Sequence, residues 1–221
     1  MHRLSRDHFP ILFLYTVFAA TFSVVFIDQP LAQFFAQEGY LPLRQLSARL
    51  TDVGEGAPYF ALAILTWLLG RFFPQFVNSR NQLPKAEKLR ALGIFWLKTL
   101  IAVGFVLHLF KFVFGRLRPH MTDDFQAFSF DHFSFHWHWQ SMPSGHSQVM
   151  FVVGTLLASL WPRRKSLFYG LAFMIAFTRV VLQQHFLSDI LVGALIGHVG
   201  AVLMIQYQWD KVGPRGPTPG H

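Results

Sequence analysis

The first group of residues with the types and spacing for chemistry is the turn Pro143-Ser144-Gly145-His146-Ser147, which precedes an apolar run. Ser144 is a favoured N-cap residue, and Gly145 allows a ligand to approach the backbone closely. The first amides of the following helix are unpaired and are supported by the helix dipole, so they can bind an anion. A histidine in that first turn, His146, is placed to give a proton to the bound group. This turn predicts an anion site with an acid beside it.

A second group, Lys111 and Arg118 followed by Pro119, lies at the end of another apolar run. Residues seven apart return to nearly the same helix face, so the spacing predicts that both cations project together from a helix that ends at Arg118. An ammonium and a guanidinium with a small residue, Gly115, between them suit a phosphate group. The alternative is that both side chains extend to lipid headgroups at the end of a span.

The third group contains Arg179, His185 and Asp189. If His185 is in the first turn of a helix, Asp189 lies one turn later on the same face. Its carboxylate can then accept the imidazole N–H and leave the other ring nitrogen as a nucleophile, while Arg179 adds a guanidinium. The alternative is a buried structural Asp–His pair.

The composition indicates a polytopic membrane protein. The 221 residues are 52% hydrophobic and only 14% charged, with 26 phenylalanines. The absence of cysteine excludes disulfides, thiolate zinc sites and cysteine nucleophiles. The net charge of +8 comes from basic residues in short loops between apolar runs, which favours positive-inside topology in a lipid bilayer over a nucleic-acid partner.

The apolar pattern predicts an all-α fold, a bundle of six transmembrane helices at about residues 9–27, 57–73, 92–114, 148–161, 167–182 and 187–205. No small-residue cleavage site closes the first run, so we expect a retained helix rather than a signal peptide. Most Lys and Arg residues fall on the side that places both termini in the cytoplasm. Residues 28–55 are amphipathic and are expected at the outer interface. We predict one transmembrane domain over 1–205, a flexible cytoplasmic tail over 206–221, and the three polar groups together at the outer, periplasmic face.

The long polar segment 117–147 admits a second interpretation. Its acidic residues and histidines could bind zinc or copper in a metal-binding membrane protein or a transporter: Asp123, Asp124, Asp131, His132, His136 and His138. The alternating Phe133, Phe135, Trp137 and Trp139 instead indicate an aromatic belt at the membrane interface. No fixed ligand spacing is evident, so the belt is favoured and neither a metal nor a cofactor is predicted.

The order Lys-x6-Arg-Pro, Pro-Ser-Gly-His, Arg-x5-His-x3-Asp resembles the type 2 phosphatidic acid phosphatase superfamily over about Lys111 to Asp189. That superfamily includes membrane lipid phosphatases and, with a shared anion pocket, soluble acid phosphatases and vanadium haloperoxidases. Six spans fit the membrane branch. One departure is Thr178, where the family usually has Ser, and the hydroxyl is kept.

The resemblance implies a metal-independent phosphatase. His185 would attack phosphorus and form a phosphohistidine, Asp189 would orient His185, and His146 would protonate the leaving group. The phosphate oxygens would be held by Lys111, Arg118, Ser144, Gly145 and Arg179. The substrate would be a lipid of the bacterial inner (cytoplasmic) membrane: phosphatidylglycerophosphate, phosphatidic acid, undecaprenyl diphosphate or a phosphate of lipid A. The oligomeric state stays open.

Overall fold

The computed structural model describes residues 8–72 and 83–212, and in these ranges it is helical without strands. The α-helices are α1 Phe9–Phe26, α2 Asp28–Ala36, α3 Leu41–Leu50, α4 Gly56–Phe72, α5 Leu83–Phe114, α6 Gly145–Leu160, α7 Lys165–Val181 and α8 Leu187–Val212. Short 3₁₀ turns lie at Glu38–Tyr40, Thr51–Gly54, Pro119–Met121, Trp137–Trp139 and Pro162–Arg164. The predicted all-α architecture is confirmed for this part of the chain.

Four helical segments are long and apolar enough to cross a membrane. They are Phe9–Phe26, the continuous run Glu38–Phe72, Lys85–Phe114 and Leu187–Gln208, and Gly145–Leu160 is a shorter apolar helix. The chain is therefore a multi-pass membrane protein.

Helix α8 is central to the bundle. It packs against α1, α5 and α6, and α6 also packs against α7. The main apolar core lies between α5, α6 and α8 and contains Leu100, Val152, Leu156, Ala201 and Ile205. Helix α4 packs on the outer side of α5. This arrangement brings the end of α5 and the starts of α6 and α8 to one end of the bundle.

Two helices extend well beyond the predicted spans. Helix α5 begins at Leu83, so Lys85, Lys88 and Arg90 belong to the helix rather than to a loop. Helix α8 continues past Ile205 to Val212, so the first part of the predicted tail is helical; residues 213–221 lie outside the described ranges.

The prediction that Lys111 and Arg118 share one helix face is wrong. Helix α5 ends at Phe114, and Gly115 has a φ of 56°. The carbonyl of Gly115 accepts the backbone N–H of Asp131 at 2.6 Å, which redirects the chain into the loop. Arg118 therefore lies on extended backbone, with φ −76° and ψ 148°.

We expect Gly115→Ala to destabilise the protein strongly. A β-carbon at this position would lie 1.6 Å from the carbonyl oxygen of Asp131, and the left-handed backbone alone costs about 1–2 kcal/mol for an L-residue. Gly104→Ala, within α5, is the control, because a β-carbon there meets nothing within 4 Å. Thermal unfolding in detergent measures both variants. Equal melting temperatures for the two would contradict the assigned role of Gly115.

Candidate active site

The three sequence-predicted groups meet at one end of the bundle, although they come from different helices. The end of α5 supplies Lys111, the start of α6 supplies His146, and the end of α7 supplies Arg179. His185 lies in the turn between α7 and α8, and Asp189 lies in the first turn of α8. Because each residue is at a helix end, the cluster is fixed by how the helices pack.

His185 and Asp189 form a buried pair. The Nδ1 atom of His185 is 3.6 Å from Oδ2 of Asp189, and both side chains are almost fully buried. The hydroxyl of Ser141 donates to the same Oδ2 at 2.6 Å and lies 3.4 Å from His185 Nδ1. With Nδ1 facing this acid and hydroxyl, Nε2 is the ring nitrogen left for a substrate.

Electrostatics keep His185 in the form that a nucleophile requires. Burial lowers the pKa of His185 to about 3; the hydrogen bond and charge of Asp189 oppose that shift, and the charges of Lys111 and Arg118 add to it. The ring is therefore neutral at ordinary pH, with a free lone pair.

Asp189 also organises the helix that carries it. Its Oδ2 accepts the backbone N–H of Phe186 at 2.8 Å, which satisfies an otherwise unpaired amide at the start of α8. Its backbone carbonyl accepts the N–H of Ser144 at 3.0 Å, which ties the start of α6 to the start of α8. One residue thus positions both His185 and the turn that precedes His146.

Arg116 was not among the site residues predicted from the sequence, and it lies against Asp189 in the site. Its guanidinium is fully buried and binds Asp189 Oδ1 at 2.6 Å and Asp28 Oδ2 at 2.8 Å. It also donates to the carbonyl of Ala127 and lies over the ring of Phe186, 4.1 Å from its centroid. We call Asp28, Arg116 and Asp189 the buried charge network.

Asp28 was predicted only as the start of an amphipathic interfacial stretch, and this interpretation was incomplete. Its side chain is fully buried at the α1–α2 junction, where it accepts bonds from the Ser23 hydroxyl and from the backbone and hydroxyl of Ser188. A lone carboxylate at the end of an apolar run is a signal for such a role, because a charge there needs a partner.

Three cations gather in the site close enough to interact electrostatically with one another: Lys111, Arg118 and Arg179. Their positive charges also interact electrostatically with the ring of His146. Lys111 donates to the carbonyl of Gln140. Arg118 donates to Gln184 at 3.2 Å and lies over the ring of Trp137, and burial lowers the pKa of its guanidinium.

Two of these cations have unused donors. Arg179 donates to the hydroxyl of Thr51 through Nη1 at 3.0 Å. The Nε atoms of Arg118 and Arg179 are buried without a hydrogen-bond partner. Buried guanidinium donors without a partner, in a cluster of three cations, fit an oxyanion such as phosphate.

The turn at residues 143–147 is formed much as its sequence predicts. Ser144 caps α6, and its hydroxyl accepts the N–H of Ser147 at 3.4 Å. A β-carbon on Gly145 would meet only Leu107, at 3.6 Å, so the backbone there is approachable. The ring of His146 packs against Gly54 of the 3₁₀ turn that also holds Thr51. Thr178 donates its hydroxyl to the carbonyl of Ile175 in its own helix.

The histidine-rich loop shows no metal site within the described part of the chain, because no three His, Cys, Asp or Glu side chains gather there. His132 instead contacts the carbonyl of Val113 at 3.2 Å. Phe133, Phe135 and Trp137 are largely exposed at this end of the bundle. Exposed aromatics here agree with the predicted interfacial belt.

Comparison with known proteins gives a family match. The model of the PAP2 superfamily matches residues 93–212, more than half of the chain and all of the predicted site residues. Two curated relatives are lipid A 1-phosphatases from Rhizobium etli and Rhizobium johnstonii. Each is 29% identical over 182 residues, which cover 82% of this chain and 77% or 73% of the relative.

Two solved structures share the fold. Aquifex aeolicus LpxE aligns with a TM-score of 0.57 and 21% identity, covering 82% of this chain and 96% of that one. The transmembrane PAP2 type phosphatidylglycerolphosphate phosphatase from Bacillus subtilis aligns with a TM-score of 0.62 and 21% identity, covering 93% and 98%.

We expect Asp28→Asn to lower both stability and turnover. The amide keeps the shape of the side chain but removes one of the two carboxylates that neutralise Arg116, and breaking a buried ion pair typically costs about 3–5 kcal/mol. For a chain of this size the melting temperature should fall by on the order of 10 °C. Asp123→Asn, on an exposed residue, is the control. If Asp28→Asn matches the control in melting temperature and in kcat, the buried charge network does not support the site.

Proposed function

Because this chain belongs to the PAP2 superfamily and is a lipid phosphatase, we propose that it hydrolyses the 1-phosphate of lipid A through a phosphohistidine intermediate. The observation that carries the mechanism is the neutral, buried His185, which is supported by Asp189 and lies near the charges of Lys111 and Arg118. The substrate rests on the two relatives, whose names state that activity and whose alignment covers most of this chain.

In the proposed first step, Nε2 of His185 attacks phosphorus in line with the leaving oxygen of the lipid. A phosphorus–nitrogen bond forms and the phosphorus–oxygen bond to the lipid breaks. His146 gives its proton to the departing oxygen, and Asp189 stabilises the positive charge that develops on the ring of His185.

In the second step, water attacks the phosphohistidine. His146, now neutral, takes a proton from that water, the phosphorus–nitrogen bond breaks, and inorganic phosphate leaves with His185 restored. The reaction needs no redox partner, and the chain's own residues supply the acid, the base and the nucleophile.

We propose that the oxygens of the transferred phosphoryl group bind Lys111, Arg118 and Arg179, with the hydroxyl of Ser144 and the amide of Gly145. The buried, unpartnered Nε atoms of Arg118 and Arg179 support this assignment. Phosphoryl transfer depends mainly on positioning and charge stabilisation, so a preorganised set of donors accounts for most of the required catalysis.

We also propose a topology of six spans in one domain, in which α6 and α7 cross with the four longer segments. The basic turn Pro162–Arg164, between α6 and α7, and the basic residues at the start of α5 lie at the end of the bundle away from the site. By the positive-inside rule this end is cytoplasmic, and so are both termini. The site then opens on the periplasmic face of a bacterial inner membrane.

Phosphate release in detergent tests the substrate. We expect purified protein to release phosphate from lipid A 1-phosphate faster than from phosphatidylglycerophosphate, phosphatidic acid or undecaprenyl diphosphate, and to keep that activity in chelator. The control is His185→Ala assayed in parallel. Faster phosphate release from one of the other lipids would identify that lipid, rather than lipid A, as the substrate. Release from none of the four lipids would refute the proposal that the protein is a phosphatase active on these headgroups.

Trapping the intermediate tests the mechanism. Acid-labile, base-stable label should appear on the wild-type protein after brief exposure to substrate that carries labelled phosphate, and should map to His185. We expect His185→Ala to lose both the label and turnover, whereas His136→Ala on the exposed loop keeps both. Label retained in the His185→Ala protein would show that another residue is the nucleophile.

A further inference from the structure

The 3₁₀ turn Thr51–Gly54, between α3 and α4, packs on two of the predicted site residues. Thr51 is buried and accepts a hydrogen bond from Nη1 of Arg179 at 3.0 Å. Gly54 is also buried, and a β-carbon on it would lie 2.8 Å from Cδ2 of His146. The PAP2 match begins at residue 93, so this turn adds to the site from outside the matched region. We call residues 51–55 the α3–α4 turn.

The α3–α4 turn is held in one position. The backbone N–H of Glu55 donates to the carbonyl of Asp52 at 3.1 Å, which closes the turn. The hydroxyl of Tyr59 in α4 donates to the carbonyl of Val53 at 2.8 Å. Both α6 and α7 pack against the turn. Hydrogen bonds and packing therefore fix its place beside the site.

The α3–α4 turn presents two exposed carboxylates, Asp52 and Glu55, beside the cations. Their charges interact with that of Arg179, whose Nε atom is buried without a hydrogen-bond partner. Among the described residues, neither carboxylate forms a direct ion pair. Asp189, by contrast, is fully buried and paired with Arg116. Asp52 and Glu55 therefore leave negative charge at the surface that can act on a bound ligand.

The proposed mechanism places the leaving group on the side of this turn. Attack by His185 is in line with the leaving oxygen, so the nucleophile and the leaving group lie on opposite sides of phosphorus. The leaving oxygen takes its proton from His146, and His146 is the residue on which Gly54 packs. The atoms attached to the leaving oxygen thus come close to Asp52 and Glu55.

The charge of the leaving group then decides how the two carboxylates act on a substrate. An alcohol of a sugar or of glycerol carries no charge next to the scissile bond, so the carboxylates do not oppose it. A leaving phosphate, as in a diphosphate, brings a second anion beside two carboxylates, and like charges repel. The cations of the site attract both kinds of substrate, so the carboxylates are the groups that can distinguish them.

We propose that Asp52 and Glu55 select against lipid diphosphates, so that the site prefers phosphomonoesters whose leaving group is an uncharged alcohol. This inference rests on the proposed function, because it uses the place of the leaving group in that reaction. It goes beyond the identity of one lipid, since it assigns to two residues the exclusion of a whole class of headgroup.

A matched pair of substrates tests the proposal. Phosphatidic acid and diacylglycerol diphosphate with the same acyl chains differ only in the second phosphate, so the ratio of their kcat/KM values isolates its effect. The test variant combines Asp52→Asn with Glu55→Gln. The control variant combines Glu38→Gln with Asp123→Asn, which removes the same charge from exposed residues outside the α3–α4 turn.

We expect the ratio of diphosphate to monophosphate hydrolysis to rise about fivefold in the test variant, a modest change because exposed charges interact weakly. The control variant should keep the wild-type ratio. The difference between the test variant and the wild type should shrink between about 0.05 M and about 0.5 M salt, since salt screens exposed charges. An unchanged ratio would overturn the proposal. A change that salt does not affect would overturn it too, because it would indicate an altered structure rather than lost repulsion.

A binding measurement is independent of turnover. Inorganic phosphate and inorganic pyrophosphate are titrated into the His185→Ala protein with and without the substitutions at Asp52 and Glu55, and calorimetry gives the dissociation constants. The substitutions should strengthen pyrophosphate binding about fivefold more than phosphate binding. Equal effects on the two anions would overturn the proposal.

The two measurements separate this proposal from the proposed function. If the wild-type protein hydrolyses none of the lipids yet the substitutions favour pyrophosphate, the proposed reaction fails while the charge selection stands. If the lipids are hydrolysed but neither ratio changes in the test variant, the phosphatase function stands and the selection by Asp52 and Glu55 is wrong.

Discussion

The site depends on a buried guanidinium between two carboxylates. Arg116 has no exposed surface, and it meets Asp189 on one side and Asp28 on the other. Removing three charges from water is costly, and their mutual attraction offsets that cost only if the geometry is tight and the remaining donors and acceptors are bonded. Here Ser23, Ser141, Ser188 and the carbonyl of Ala127 complete those bonds. The network therefore holds Asp189 in one orientation, and Asp189 in turn holds His185.

The same network explains why the His185–Asp189 pair at the start of α8 depends on the segment that follows the first helix. Asp28 begins α2, two residues after the end of α1, and its carboxylate accepts both the backbone N–H and the hydroxyl of Ser188 in the first turn of α8. Arg116 comes from the loop after α5 and has an isolated β-bridge to Phe130. The ion pairs of Arg116 with Asp28 and Asp189 thus connect three segments that are far apart in the sequence. The family match begins only at residue 93, so Asp28 is a contribution from outside that region.

Local sequence predicted most of the helices, and the structure brings the predicted site residues together near His185. The capping of α6 by Ser144 follows from local spacing, which sequence reveals directly. Asp189 does face His185, but His185 lies in the turn two residues before α8 rather than in the first turn of that helix. The common face for Lys111 and Arg118 was wrong because Gly115 adopts a left-handed conformation that ends α5 early. Arg116 and Ser141 were missed because their partners are far away in sequence, and only packing of the whole bundle brings them together.

The cations show how the site combines stability with function. Arg118 lies against the ring of Trp137, and Arg179 is bonded to Thr51, so each guanidinium is fixed through part of its surface. Each nevertheless keeps a buried Nε without a partner, and such a donor costs about 1–3 kcal/mol of desolvation. A fold under selection for stability alone would have paired these donors. Left unpaired within the cluster of cations, these donors can interact with an oxyanion more strongly as its negative charge develops. Such donors stabilise a transition state more than the ground state.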